Sequence, residues 1–64
     1  MAISMKAARV DAGYTQKEAA KALNISKNTL AGYETGKAVP KIDLAQRMAD
    51  LYGFSVNDII FFNH

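Results

Sequence analysis

Apolar residues recur along this chain at intervals of three and four, and hydroxylated residues, glycine and proline fall where helices would begin or end. No stretch alternates apolar and polar residues as a half-buried strand does, so the expected fold class is all-α. Five helices are predicted. The first runs from about Ile3 to Ala12, carries Met5, Ala8 and Ala12 inward and closes at Gly13. The second opens on Thr15-Gln16-Lys17-Glu18, a capping box in which Thr15 bonds the Glu18 amide and Glu18 reaches back to Thr15. Its small apolar face, Ala19, Ala20 and Leu23, permits close approach of another helix, and it stops near Asn24.

Ser26 is a good N-cap for the third helix, with Ile25 where a hydrophobic staple would sit and Gly36 at the far end. So few residues separate helices two and three that the chain must turn sharply between them. The only proline, Pro40, marks the approach to a fourth helix over about Ile42 to Tyr52, with Ile42, Ala45, Met48, Ala49 and Tyr52 on one side and Gly53 at its end. A fifth helix is predicted from Ser55, with Val56, Ile59 and Ile60 inward. Together these make a compact bundle, residues 1–64 forming one domain.

Sixty-four residues lie near the lower limit for a core without staples, and there is no cysteine for a disulfide or a Cys/His zinc site. No metal or cofactor is expected. Half the residues are hydrophobic, yet no run approaches the roughly 18 to 20 residues of a membrane span. The N-terminal MAISMKAARV lacks the apolar core and cleavage site of a signal peptide, so the expected location is cytoplasmic.

The net charge of +2 is unevenly spread. Residues 15–41 hold Lys17, Lys21, Lys27, Lys37 and Lys41 against Glu18 and Glu34, whereas residues 42–64 hold Arg47 against Asp43, Asp50 and Asp58. A basic middle suits a polyanion, and it equally suits a solvated lysine surface. Catalysis finds little support. The sole histidine is the last residue, His64, no nucleophile–base set exists, and the carboxylates are scattered singly. The chain is therefore not expected to be an enzyme.

On a helical wheel with Leu30 at zero, Tyr33 falls at about 300°, which puts the buried face near 330°. Opposite lie Asn28 at about 160°, Thr35 at about 140°, Gly32 at about 200° and, toward one flank, Ala31 at about 100°. An ordinary solvated face would carry Lys, Glu or Gln. A face kept this low behind a sharp turn suits the major groove of DNA, which admits one α-helix; drift to small residues is the plainer alternative.

The segment TQKEAAKALNISKNTLAGYETGKAVP resembles the helix-turn-helix of the lambda-repressor-like, Cro-type family, also called the XRE family. The likeness runs through Gln16, Ala20, Leu23, Ile25, Leu30, Tyr33 and Glu34 to Lys37, and extends to Ala8-Arg9, Gly13 and MADLYGFSVNDII. The resemblance implies a compact five-helix DNA-binding domain, with helix three as the recognition helix. It implies phosphate contacts at Thr15, Gln16, Thr35, Lys37 and Lys41. Base reading falls to Ser26, Lys27, Asn28 and Thr29, where lysine can donate to guanine and asparagine can pair with adenine. Two positions depart from the pattern. Asn24 replaces the usual turn glycine, and Gly32 stands where many relatives place a long polar side chain, so base readout there is reduced to close approach.

Glu34 falls at about 40° on the wheel, nearer the buried side, where a bare carboxylate is costly. The resemblance supplies its partner, Arg9, as a structural salt bridge. At the end of the chain, Phe61 and Phe62 exceed what one face of a short helix can bury. They either cap the core or form a homodimer contact, which would set two recognition helices roughly 34 Å apart on a two-fold symmetric operator. The expected function is a sequence-specific transcriptional regulator of bacterial or phage type. A protein-interaction module of antitoxin or adaptor kind is the alternative, since fold alone does not dictate function.

Overall fold

The computed structural model describes residues 2–61. Its elements in chain order are a short strand β1 (Ile3–Ser4), helices α1 (Met5–Asp11), α2 (Gln16–Leu23), α3 (Lys27–Glu34) and α4 (Ile42–Tyr52), a single 3-10 turn (Val56–Asp58), and a strand β2 (Ile59–Ile60). None of these helices is long and apolar enough to cross a membrane. Among the described residues there are therefore four α-helices where the sequence predicts five, and the ends of the described chain are extended.

Both departures have local causes. Ser4 accepts a hydrogen bond from the Ala7 amide at 3.0 Å, so α1 begins after it and Ile3 lies outside the helix. After Ser55 the chain makes one 3-10 turn, then reaches the β-branched pair Ile59-Ile60, which prefers an extended backbone. There it pairs in parallel with β1, Ile3 opposite Ile59 and Ser4 opposite Ile60. The change of period from 3.6 to 2 redirects the side chains. Ile59 and Phe61 turn inward, at 7% and 9% exposure, while Ile60, expected inward, is 45% exposed.

The core lies between the four helices. It is built from Met5 and Ala8 of α1, Ala19, Ala20 and Leu23 of α2, Leu30 of α3, and Ala45, Met48, Ala49 and Tyr52 of α4. Five of these ten are alanine, which lets helix axes approach closely and keeps a core of few large side chains dense. Ile42, also expected on this face, is 77% exposed because it is the first residue of α4 and overhangs the end of the packed stripe.

Each helix stops in the same way. A left-handed residue follows it, and the next amide donates back to a carbonyl in the last turn: Tyr14 to Arg9, Ile25 to Ala20, Lys37 to Gly32 and Phe54 to Ala49. Asn24, at φ 60°, is the single non-glycine among these four stops. Tyr14, Ile25 and Phe54 then fold back on the core, as this motif favours. Lys37, at the equivalent place after α3, is exposed and charged. Arg47 adds a cap across the fold, donating from Nη2 to the Leu23 carbonyl at 2.9 Å.

Candidate nucleic-acid interface

The turn between α2 and α3 is fixed at both sides. Asn24 ends α2 in the left-handed conformation, and Ser26 starts α3 by accepting the Thr29 amide at 3.0 Å. The Ser26 and Thr29 hydroxyls also bond each other at 2.7 Å. Ser26 and Thr29, two of the residues expected to read bases, are thus engaged with each other in the first turn of α3, where Ser26 is the cap. Leu30 is fully buried, Tyr33 is half-buried on the core, and α3 presents its opposite side outward.

On that outward side lies an open hollow lined by Asn28, Ala31, Gly32, Thr35 and Lys37. Asn28 is exposed and Gly32 is half-buried. The Thr35 hydroxyl donates back to the Ala31 carbonyl at 3.0 Å. A Cβ added at Gly32 would meet nothing within 4 Å. Gly32→Ala should therefore stabilise the fold by about 1 kcal/mol through helix propensity, as read from urea melts. If the glycine serves close approach, the same change should weaken DNA binding; unchanged affinity would leave Gly32 without a role in the groove.

A second, larger hollow of about 510 Å³ opens beside the start of α2. Its cations are Lys6 and Arg9 of α1, Lys17 of α2 and Lys27 of α3, with Thr15 and Gln16 contributing from the capping box. Lys27 thus borders this hollow and is absent from the lining of the first. The box itself is complete: the Thr15 amide donates to Glu18 Oε1 at 2.9 Å and the Glu18 amide to Thr15 Oγ1 at 3.1 Å. The Thr15 backbone amide, and then its hydroxyl, hold the Glu18 carboxyl below its ordinary range. Lys41 stands apart from both hollows as the exposed residue before α4.

Beneath the second hollow sits the ion pair. Arg9 Nε donates to Glu34 Oε2 at 2.7 Å, and Arg9 Nη2 reaches Glu34 Oε1 at 3.3 Å. The two side chains are 8% and 3% exposed. Arg9 Nη1 also donates to the Tyr14 carbonyl, and Gln16 Nε2 donates to Glu34 Oε1 at 2.9 Å. Three helices therefore meet at one carboxylate, that of Glu34, and Arg9 also ties the turn after α1 to the pair. The resemblance gives Gln16 a phosphate contact; in the fold it lines the hollow and also donates to Glu34.

Tyr52 lies close by, its ring 6.3 Å from that of Tyr14. Its phenol finds no hydrogen-bond partner among the described residues. Burial pushes its pKa up to about 12; the negative charge of Glu34 adds to the rise, and Arg9 opposes it. Phe61 is packed into the core and so offers little surface to a second copy. Phe62 and His64 lie outside the described residues. Among the described residues no group of three or more His, Cys, Asp or Glu could hold a metal ion.

Sequence reasoning missed Lys6 and Lys17 as members of the basic hollow. Exposed lysines carry no signal until the fold shows which of them converge. It also missed the Gln16–Glu34 bond, which joins positions too far apart for any helical spacing to pair.

The sequence is similar to those of known regulators. The chain is 43% identical to the HTH-type transcriptional regulator ImmR of Bacillus subtilis (strain 168) over 56 residues, which is 88% of this chain and 44% of the relative. It is 31% identical over 52 residues to the Cryptic phage CTXphi transcriptional repressor RstR of Vibrio cholerae, covering 81% of this chain and 47% of that protein. An archaeal relative, an HTH-type transcriptional regulator of Methanocaldococcus jannaschii, is 35% identical over 48 residues, 75% of this chain and 73% of its own length. The chain thus spans less than half the length of the first two relatives. The Helix-turn-helix family model matches residues 5–59, from the start of α1 into β2 with the α2–α3 turn inside the match, and the chain belongs to this helix-turn-helix family.

Proposed function

We propose that this protein is a sequence-specific DNA-binding transcriptional regulator that acts as a repressor. The observation that carries the reading is the outward side of α3: a hollow of short side chains on a helix whose one fully buried residue is Leu30, bordered by Lys37 and flanked by a second, basic hollow. The major groove takes one helix, and a low face lets the backbone sit close to the base edges.

Asn28 is the base reader, because its exposed carboxamide can both accept from and donate to adenine. Lys37, Thr35 and Lys41 meet the backbone beyond α3, with Thr15 and Gln16 meeting it at the start of α2. These contacts set register and orientation; they carry no sequence information. Ser26 and Thr29 serve the reading indirectly, by holding the first turn of α3 in place. The regulators that this chain resembles carry the words "transcriptional regulator" and "transcriptional repressor" in their names, which supports the assignment. Binding as a homodimer to a two-fold symmetric operator, in the cytoplasm, completes the proposal.

Selection of a preferred sequence from a random DNA pool, followed by binding measurements across a salt series, tests it. Affinity for the selected site should fall steeply with salt. Asn28→Ala should narrow the gap between selected and random DNA by about 1–3 kcal/mol, roughly 5- to 150-fold. No binding to any DNA at low salt would sink the reading. Sedimentation of the protein with the selected duplex reports whether two copies bind.

A further inference from the structure

Resting on that reading, we infer that Lys27 anchors the DNA backbone and does not read bases, and that it shares this task with Lys6 and Lys17. The three lysines come from α1, α2 and α3 and border one hollow at the start of α2, a hollow whose lining contains no carboxylate. Behind them Arg9 is already matched by Glu34, so the lysine charges are the ones left to meet a ligand. All three are exposed.

The wheel agrees with the hollow. Lys27 falls at about 60°, roughly a right angle from the outward side near 150° that holds Asn28 and Gly32. It flanks the helix on the side of α2 and borders the hollow that Thr15 and Gln16 share. An ammonium group is a compact point charge that suits a phosphodiester oxygen; lysine can also donate to guanine, so it is the placement of Lys27 beside the start of α2, away from the side that holds Asn28 and Gly32, that assigns it to the strand. Two depressions with different chemistry thus divide the work. The hollow over Gly32 meets bases, and the lysine hollow grips the strand that borders the groove.

The experiment compares Lys27→Ala, Lys6→Ala, Asn28→Ala and Lys21→Ala on the selected site and on random DNA across salt. Lys21 is an exposed lysine of α2 outside the hollow, and its loss reports the general effect of one charge. Lys27→Ala and Lys6→Ala should weaken binding to both DNAs by the same factor. Each should also lower the salt slope by about one, so that the loss of affinity between about 50 and about 200 mM salt shrinks roughly three- to fourfold. Asn28→Ala should change the ratio between the two DNAs and leave the slope alone. A Lys27→Ala protein that loses affinity only for the selected site overturns the inference, as does a slope unchanged in Lys6→Ala or lowered equally in Lys21→Ala. A wild-type protein that binds no DNA overturns this inference together with the proposed function.

Discussion

Replacing Arg9 alone with methionine should cost the protein about 3–5 kcal/mol of stability, while Arg9→Met combined with Glu34→Leu should recover most of that loss. The single change strands a carboxylate that is 3% exposed, with only the Gln16 amide left to face it. Breaking one partner out of a buried pair costs about 3–5 kcal/mol, because the remaining charge has neither water nor a counter-ion. A domain of this size has a total stability of only about 3–10 kcal/mol, so the loss is a large share of it. The double change removes both charges and replaces them with apolar groups of similar length, which is often nearly neutral. Gln16 then turns its half-exposed amide to water. Urea melts of the four proteins in the cycle give the comparison. A single variant that loses under about 1 kcal/mol, or a double variant that loses the sum of both singles, would contradict this account of the pair.

Leu30→Ala is the second change expected to have a large effect, costing about 2–5 kcal/mol. Leu30 and Met48 are the largest side chains buried completely, and Leu30 is the one buried residue that α3 contributes. Other helices divide their anchoring among several residues; α4 buries four. Helix α3 cannot do so, because its outward side must stay low and Glu34 occupies the place beside Leu30. Truncating that anchor, its one fully buried side chain, should therefore loosen α3 before the rest of the bundle. A urea melt measures the cost, and DNA binding should fall with the folded fraction. Leu30→Met, which conserves volume, should cost less than about 1.5 kcal/mol. Equal stability of Leu30→Ala and the native protein would show that α3 is held by something other than this side chain.

The helices were legible where their ends carry chemistry. Thr15 and Glu18 announced α2, Ser26 announced α3, and Asn24 marked the turn, because each is a short-range bond that sequence spacing displays directly. The charge of Glu34 on the inner flank of a helix called for a cation, and Arg9 supplies it. Where the pattern itself was ambiguous, reading failed. Val56, Ile59 and Ile60 fit a helical stripe as well as a short strand, and the pairing edge at Ile3–Ser4, which no local spacing displays, adds to the β-branched preference for the strand. Ile42 fits the α4 stripe by angle, yet a stripe says nothing about where the core ends along the helix axis. The division of the basic residues into separate hollows depends on how three helices meet, which no local spacing encodes.

The strand pair that replaces the fifth helix has a thermodynamic consequence. Joining Ile3 to Ile59 closes almost the whole described chain into a loop, and closure of that length carries an entropic cost of about 3.5 kcal/mol. A ladder of two residues a side, at about 1 kcal/mol net for each hydrogen bond, cannot meet that cost unaided. The difference comes from Met5, Ile59 and Phe61, which are buried only when the helices have already gathered around them. The two extended ends are thus a clasp that exists by leave of the helical core, and they part when that core is lost.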